Sequence, residues 1–128
     1  MTFKPELIPT AKQNKYKNKK ESRIVNKTIT WFDSKKEAKR FDELYLLLKA
    51  KKIEELILQP KYLLMDTQRH GNITYPKVTW SGDFKYKQNG KTIVEDVKSD
   101  ATAKDKTYRV KIKWFLSLYG KDIEFREI

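Results

Sequence analysis

"SGDFKYKQNGKTIVEDVKS", residues 81–99, decides how the chain is read. Two alternating runs flank Asn89-Gly90, the dipeptide that most favours a two-residue type I′ hairpin turn. With that turn, Gln88 faces Lys91, Tyr86 faces Ile93 and Asp83 faces Asp96. Counting outward, Asp83–Asp96 is a non-hydrogen-bonded pair, with Cβ atoms about 4.5–5.5 Å apart. Side chains alternate along a strand, so Lys85 and Lys98 share the face of the two acids. Phe84, Tyr86, Ile93 and Val97 form the other face, which suits a core. Glu95 points to that second face and is not a candidate ligand.

Like charges set directly opposite weaken a ladder. On these residues alone two readings stay open. In one, the face is solvated and Lys85 and Lys98 screen the acids. In the other, the acids hold a hard divalent cation, because Mg²⁺ is commonly bound by one or two carboxylates plus water and substrate phosphate. Such a cation polarises a phosphoryl oxygen. Lys98 would then orient the attacking water or neutralise charge developing on phosphate.

Upstream, "KTITWF" (27–32) has the β-branched and aromatic content of a strand. In "DSKKEAKRFDELYLLLKAKK" (33–52) the period changes. Ala38, Phe41, Leu44, Tyr45 and Leu48 recur at helical spacing, and Ser34 with Glu37 makes a capping box, predicting a helix of about 16 residues. Glu37 precedes Phe41 by one helical turn and so borders the buried stripe, whereas Lys36, Lys39, Arg40 and Glu43 look outward. Completing the cap accounts for Glu37, but an inward-leaning acid there also reaches toward a metal on an adjoining sheet. "IEELILQPKYLLM" (53–65) reads as helix exit and a strand interrupted, or placed at an edge, by Pro60. "GNITYP" (71–76) is a turn followed by extended chain, with His70 a surface residue beside it.

After the hairpin, Tyr108, Ile112, Phe115 and Tyr119 form the apolar stripe of a second helix that stops at Gly120. Lys104, Lys106, Arg109 and Lys113 lie largely off that stripe. "IEFREI" (123–128) closes the chain as a strand. The order β-α-β-β-β-α-β predicts an α/β domain bordering on α+β, with a mixed sheet.

The 128 residues suit one domain, and 29 Lys and Arg against 17 Asp and Glu give a net charge of +12. An excess of this size suggests a polyanionic partner, nucleic acid first. Residues 1–27 hold eight Lys and Arg against Glu6 and Glu21, which is half of the excess. We read this segment as a flexible basic arm, with residues 28–128 as the folded domain. Lys15, Lys17, Lys19, Lys20 and Arg23 of the arm, with Lys104, Lys106, Arg109 and Lys113, are the candidate DNA-phosphate contacts. The chain has no cysteine, which excludes disulfides and thiolate metal sites. No apolar run approaches the roughly 18 residues of a membrane span, and the N-terminus lacks a signal-type apolar stretch. A soluble, cytoplasmic protein without a membrane partner is expected.

An acid on the first helix, an Asp on one strand and Asp-x-Lys on the next resemble the PD-(D/E)XK nuclease superfamily. Glu37, Asp83 and "DVK" (Asp96, Val97, Lys98) match that pattern in order and spacing. More closely, "FDSKKEAKRFDEL", "LQPKY", "GDFKY", "VEDVKS" and "IEFREI" resemble a phage-encoded family of small restriction-endonuclease-like, Holliday-junction-resolvase-like proteins. The resemblance covers about residues 28–128. It implies a restriction-endonuclease-like core, in which two helices flank the mixed sheet, and Mg²⁺-dependent hydrolysis of phosphodiester bonds, with Mn²⁺ able to substitute. It also implies Asp83 and Asp96 as metal ligands, Glu37 as auxiliary ligand or water-positioning acid, Lys98 as catalytic lysine and Gln59 in support. The sequence departs from the family at Gly82, where Ala or Pro is expected. Branched DNA, four-way junctions included, and a homodimer follow from the same likeness. The alternatives are a non-catalytic DNA-binding protein on the same fold and an RNA-binding module in which Tyr75, Trp80 and Tyr86 stack bases.

Overall fold

A computed structural model describes residues 20–128. The candidate contacts Lys15, Lys17 and Lys19 lie outside the described residues.

Strands β1 (Glu21–Val25) and β2 (Thr28–Phe32) form an antiparallel hairpin. The domain therefore starts earlier than the expected boundary at residue 28. Arg23, read from sequence as an arm residue for DNA, is instead tied down in β1. Its guanidinium donates twice to the Asp42 carboxylate, at 2.8 and 3.0 Å. Helix α1 (Lys35–Lys49) follows, with the Ser34 hydroxyl accepting from the Glu37 N–H at 3.1 Å. Ala38, Phe41 and Leu44 are buried, as the spacing predicts.

The expected single strand over 53–65 is two strands, β3 (Glu54–Leu58) and β4 (Lys61–Met65), which belong to different sheets. Gln59 (φ 50°) and Pro60 lie between them. Proline has no N–H to give a ladder, and a left-handed residue before it turns the chain out of the first sheet. Next come β5 (Gln68–His70) and β6 (Ile73–Tyr75), a two-stranded ribbon where turn and extended chain were expected. Strand β7 (Val78–Ser81) pairs antiparallel with β4.

Strands β8 (Phe84–Gln88) and β9 (Lys91–Asp96) are the hairpin of residues 81–99. Asn89 and Gly90 have φ of 52° and 79°, both positive as a type I′ turn requires. The register runs from Gln88↔Lys91 to Phe84↔Glu95, as counting from the turn predicts. A one-turn helix α2 (Asp100–Ala103) precedes α3 (Lys106–Tyr119), and β10 (Glu124–Glu127) closes the chain.

The described residues form a mixed α+β domain with several sheets and three helices. Its central sheet has the order β10-β9-β8-β3, with β10 parallel to β9 and the other pairs antiparallel. Successive residues of β9 point to opposite faces. Ile93, with Phe84 and Tyr86, packs toward Phe41 and Leu44 of α1. Val94 packs with Phe115 of α3, Trp80 and Leu64. The sheet thus lies between α1 and α3. Trp80 and Tyr86 are buried core residues, so neither is available to stack a base.

Candidate metal centre at the end of the central sheet

Strand β9 has a neighbour on either side, and its last four residues, Ile93 to Asp96, are all buried. Two of those four are acids, and they point to opposite faces. Burying a charge is costly unless it is paired. The two acids meet that requirement very differently.

Glu95 faces α1, as the alternation predicts. Arg40 donates Nε to Oε1 at 2.7 Å and Nη2 to Oε2 at 2.6 Å, and the Tyr86 hydroxyl donates to Oε2. This fork-to-fork pair is the strong form of a charge-assisted hydrogen bond. The contact holds the Arg40 guanidinium well above its ordinary value. Burial first, and then the Glu95 bond, push the Tyr86 hydroxyl up to about 12. Arg40 was expected to look outward. It follows Glu37 by three residues, on the same helix flank, and that spacing was the available signal.

Asp96 is 0% exposed, and neither of its carboxylate oxygens has a hydrogen-bond partner. The nearest cation is Lys98, with Nζ 3.5 Å from Oδ2. Burial pushes the Asp96 carboxyl upward. Asp83, Lys98 and Tyr108 approach it and hold that rise back, without meeting hydrogen-bond geometry. Backbone bonds fix its position: the Ile128 N–H donates to the Asp96 carbonyl at 2.9 Å, and the Lys98 N–H to the Ile128 carbonyl at 3.2 Å. Lys36 of α1 clamps the same corner, donating Nζ to the Lys98 and Ile128 carbonyls.

Asp83 stands just before β8. Its N–H donates to the Glu95 carbonyl at 2.9 Å, although Glu95 already pairs with Phe84. The ladder is therefore irregular at this end, and Asp83 is not a regular cross-strand partner of Asp96. Its carboxylate instead accepts the Val97 N–H at 2.6 Å, which brings it to the Asp-Val-Lys segment. Burial, followed by the charges of Glu37 and Asp96, pushes the Asp83 carboxyl up to about 9.

Glu37 is 5% exposed, as its place beside the buried stripe predicts. Burial and the Asp33 charge push its carboxyl up to about 7, with Lys98 opposing and Asp96 adding to the rise. Glu37, Asp83 and Lys98 line one cleft of about 220 Å³ with Ser99 and Thr102. Glu37 and Asp83 also line a smaller cavity that Gln59 enters. The Gln59 N–H donates to the Asp83 carbonyl at 2.9 Å, and its left-handed backbone is a strained conformation of the kind that collects at functional sites. Gly82 also has a local reason. A Cβ there would lie 3.0 Å from Trp80 and 3.1 Å from Val94, so the packing leaves little room for the expected Ala or Pro.

The sequence-predicted Glu37, Asp83, Asp96, Lys98 and Gln59 therefore meet at one end of the sheet. Lys104, Lys106, Arg109 and Lys113 do not join them; they are exposed on and before α3. Lys20 is exposed at the start of the described chain.

The donors are all oxygens, which suits Mg²⁺ or Mn²⁺ more than a soft metal. Among the described residues, no three Asp, Glu, His or Cys side chains form an all-protein cage. Two carboxylates are what Mg²⁺ commonly takes from a protein. A buried carboxylate with both oxygens unpartnered is the vacancy in hydrogen bonding that a hard cation satisfies. The residues fit such an ion.

No curated protein and no solved structure matches the chain. Residues 13–126 match the family described as "Protein of unknown function (DUF1064)", and the chain belongs to that family.

Proposed function

We propose that the protein is a metal-dependent endonuclease that hydrolyses phosphodiester bonds in DNA on a restriction-endonuclease-like core. One observation carries the reading: Asp96 is fully buried with both oxygens unpartnered, beside Asp83, at the end of the sheet where Lys98 also lies. A sheet built for stability alone would also satisfy that carboxylate with hydrogen bonds, as it does Glu95.

In this reading Asp83 and Asp96 hold Mg²⁺, or Mn²⁺ in its place. When bound, the ion supplies Lewis acidity toward a phosphoryl oxygen and balances charge on the phosphate. Lys98, a quarter exposed at the cleft, donates to the scissile phosphate and stabilises charge developing there. Glu37 lines the same cleft, and its raised carboxyl accepts a proton near neutral pH, which suits positioning the attacking water. Gln59 supports the site through its bond to the Asp83 backbone. The exposed bases Lys104, Lys106, Arg109 and Lys113 give sequence-independent phosphate contact. Selection of branched DNA, paired cuts by a homodimer and a cytoplasmic location complete the proposal. Among the described residues no helix is long and apolar enough to cross a membrane.

The test is cleavage of branched and linear DNA with and without Mg²⁺. Mg²⁺-dependent cleavage that disappears in Asp96→Asn supports the reading, and equal cleavage by Asp96→Asn contradicts it. A second reading, DNA binding without catalysis, draws on the Lys98–Asp96 approach of 3.5 Å, which partly balances the buried charge without a metal. It predicts DNA binding with no Mg²⁺-dependent product.

A further inference from the structure

The β5–β6 ribbon has no structural purpose visible in the fold. It pairs with no other strand, and none of its residues enters either apolar cluster. All six of its strand residues and both turn residues, Gly71 and Asn72, are exposed. Isolated two-stranded hairpins are marginal in water, so the ribbon draws little stability from what it touches.

Its register sorts the side chains. Gln68↔Tyr75 and His70↔Ile73 share one face, and Arg69↔Thr74 the other. The first face therefore carries two large apolar groups in water, Ile73 at 55% and Tyr75 at 51% exposure. From Thr67 to Gly82 the chain has no acidic residue, while Arg69 and Lys77 supply donors and positive charge. A basic, acid-free finger attracts a polyanion. Phosphate contact alone gives no use for an exposed Tyr and Ile side by side. Unpaired bases do, because each offers a flat apolar face on which an aromatic ring stacks. Paired bases in a duplex keep those faces covered.

We infer that the β5–β6 ribbon is a docking element for unpaired DNA bases, with Tyr75 and Ile73 against base faces and Arg69 and Lys77 on phosphates. This rests on the DNA reading proposed above and adds to it the part of the substrate that the cleft does not contact. The ribbon is also tethered to the cleft. Tyr75 precedes Asp83 by eight residues, so the two are at most about 26–29 Å apart.

The experiment compares the full-length protein with Tyr75→Ala and Tyr75→Phe, measuring binding in EDTA to a single-stranded DNA oligonucleotide and to the matching duplex. Tyr75→Ala is expected to lose roughly five- to hundredfold in single-strand affinity with duplex affinity unchanged, and Tyr75→Phe to keep both. Unchanged thermal midpoints show that the variants are folded, as expected at an exposed site. Single-strand affinity that survives Tyr75→Ala, or falls equally for strand and duplex, overturns the inference. Cleavage by the parent protein together with ribbon-independent binding removes the ribbon and leaves the nuclease. Ribbon-dependent binding without Mg²⁺-dependent cleavage removes the nuclease and leaves the ribbon.

Discussion

Glu95 and Asp96 are consecutive residues of one strand, both closed off from water, yet their surroundings have little in common. On the α1 face, Glu95 receives a two-pronged Arg40 and the Tyr86 hydroxyl. On the other, Asp96 has no hydrogen bond to its carboxylate, only an ion pair with Lys98 at 3.5 Å. A buried carboxylate satisfied by its own protein needs nothing further. One left unsatisfied raises the free energy of the fold and lowers it again only when something binds. The contrast separates an acid satisfied within the fold from one that, under the proposed function, is kept for a ligand, within about 3.8 Å of backbone.

The largest effect should come from breaking the satisfied side. Arg40→Met leaves Glu95 buried without its cation, which typically costs about 3–5 kcal/mol. Urea unfolding at neutral pH reads this directly, and a loss below about 1 kcal/mol would mean that the pair is not structural. The unsatisfied side should respond oppositely. Asp96→Asn removes a buried charge that no hydrogen bond satisfies and Lys98 only partly balances, so stability should hold or rise while cleavage falls at least about a hundredfold, more than an outer-shell change causes. A variant that is destabilised as strongly as Arg40→Met would erase the distinction between the two acids.

Titration sharpens it further. Glu37 and Asp83 rise in the folded protein from 4.5 to about 7 and from 3.8 to about 9. Raised values mean that the native state prefers the protonated acids. Their contribution is full below pH 4 and is lost as pH climbs through 7 to 9. Thermal midpoints without divalent ions should therefore decline across that window, and Mg²⁺ should flatten the decline. On the Glu95 side, Tyr86 rises from 10 to about 12. Its contribution is lost only between those values, and Mg²⁺ should leave that second fall untouched. The smallest effect belongs to Gln59→Gly. Glycine adopts φ 50° freely and keeps the N–H that bonds the Asp83 carbonyl, so stability should change by no more than about 1 kcal/mol and cleavage should stay within about tenfold; a larger loss of cleavage would assign the side chain a role.

Much of this site was legible because its parts follow short-range rules. Asn89-Gly90 set the register of β8 and β9, and the apolar spacing around Phe41 set the helix that buries Glu37. The Asp83 irregularity was not legible, since it depends on how the Gln59–Pro60 corner meets the sheet. Strand β1 was hidden in a basic segment whose composition resembles disorder, and only the hairpin with β2 and the Arg23–Asp42 contact make it a strand. Arg40 was misjudged because a guanidinium on a helix flank reads as solvated until the strand opposite supplies Glu95. Pro60 correctly marked an interruption, but nothing in 53–65 alone says that the two halves join different sheets.

The central claim is that Asp96 is held ready for a divalent cation, and calorimetric titration with Mg²⁺ in the absence of DNA tests it most directly. The parent protein and Glu95→Gln should bind Mg²⁺ at one site, and Asp96→Asn should not. Binding by Asp96→Asn equal to that of the parent would contradict the account.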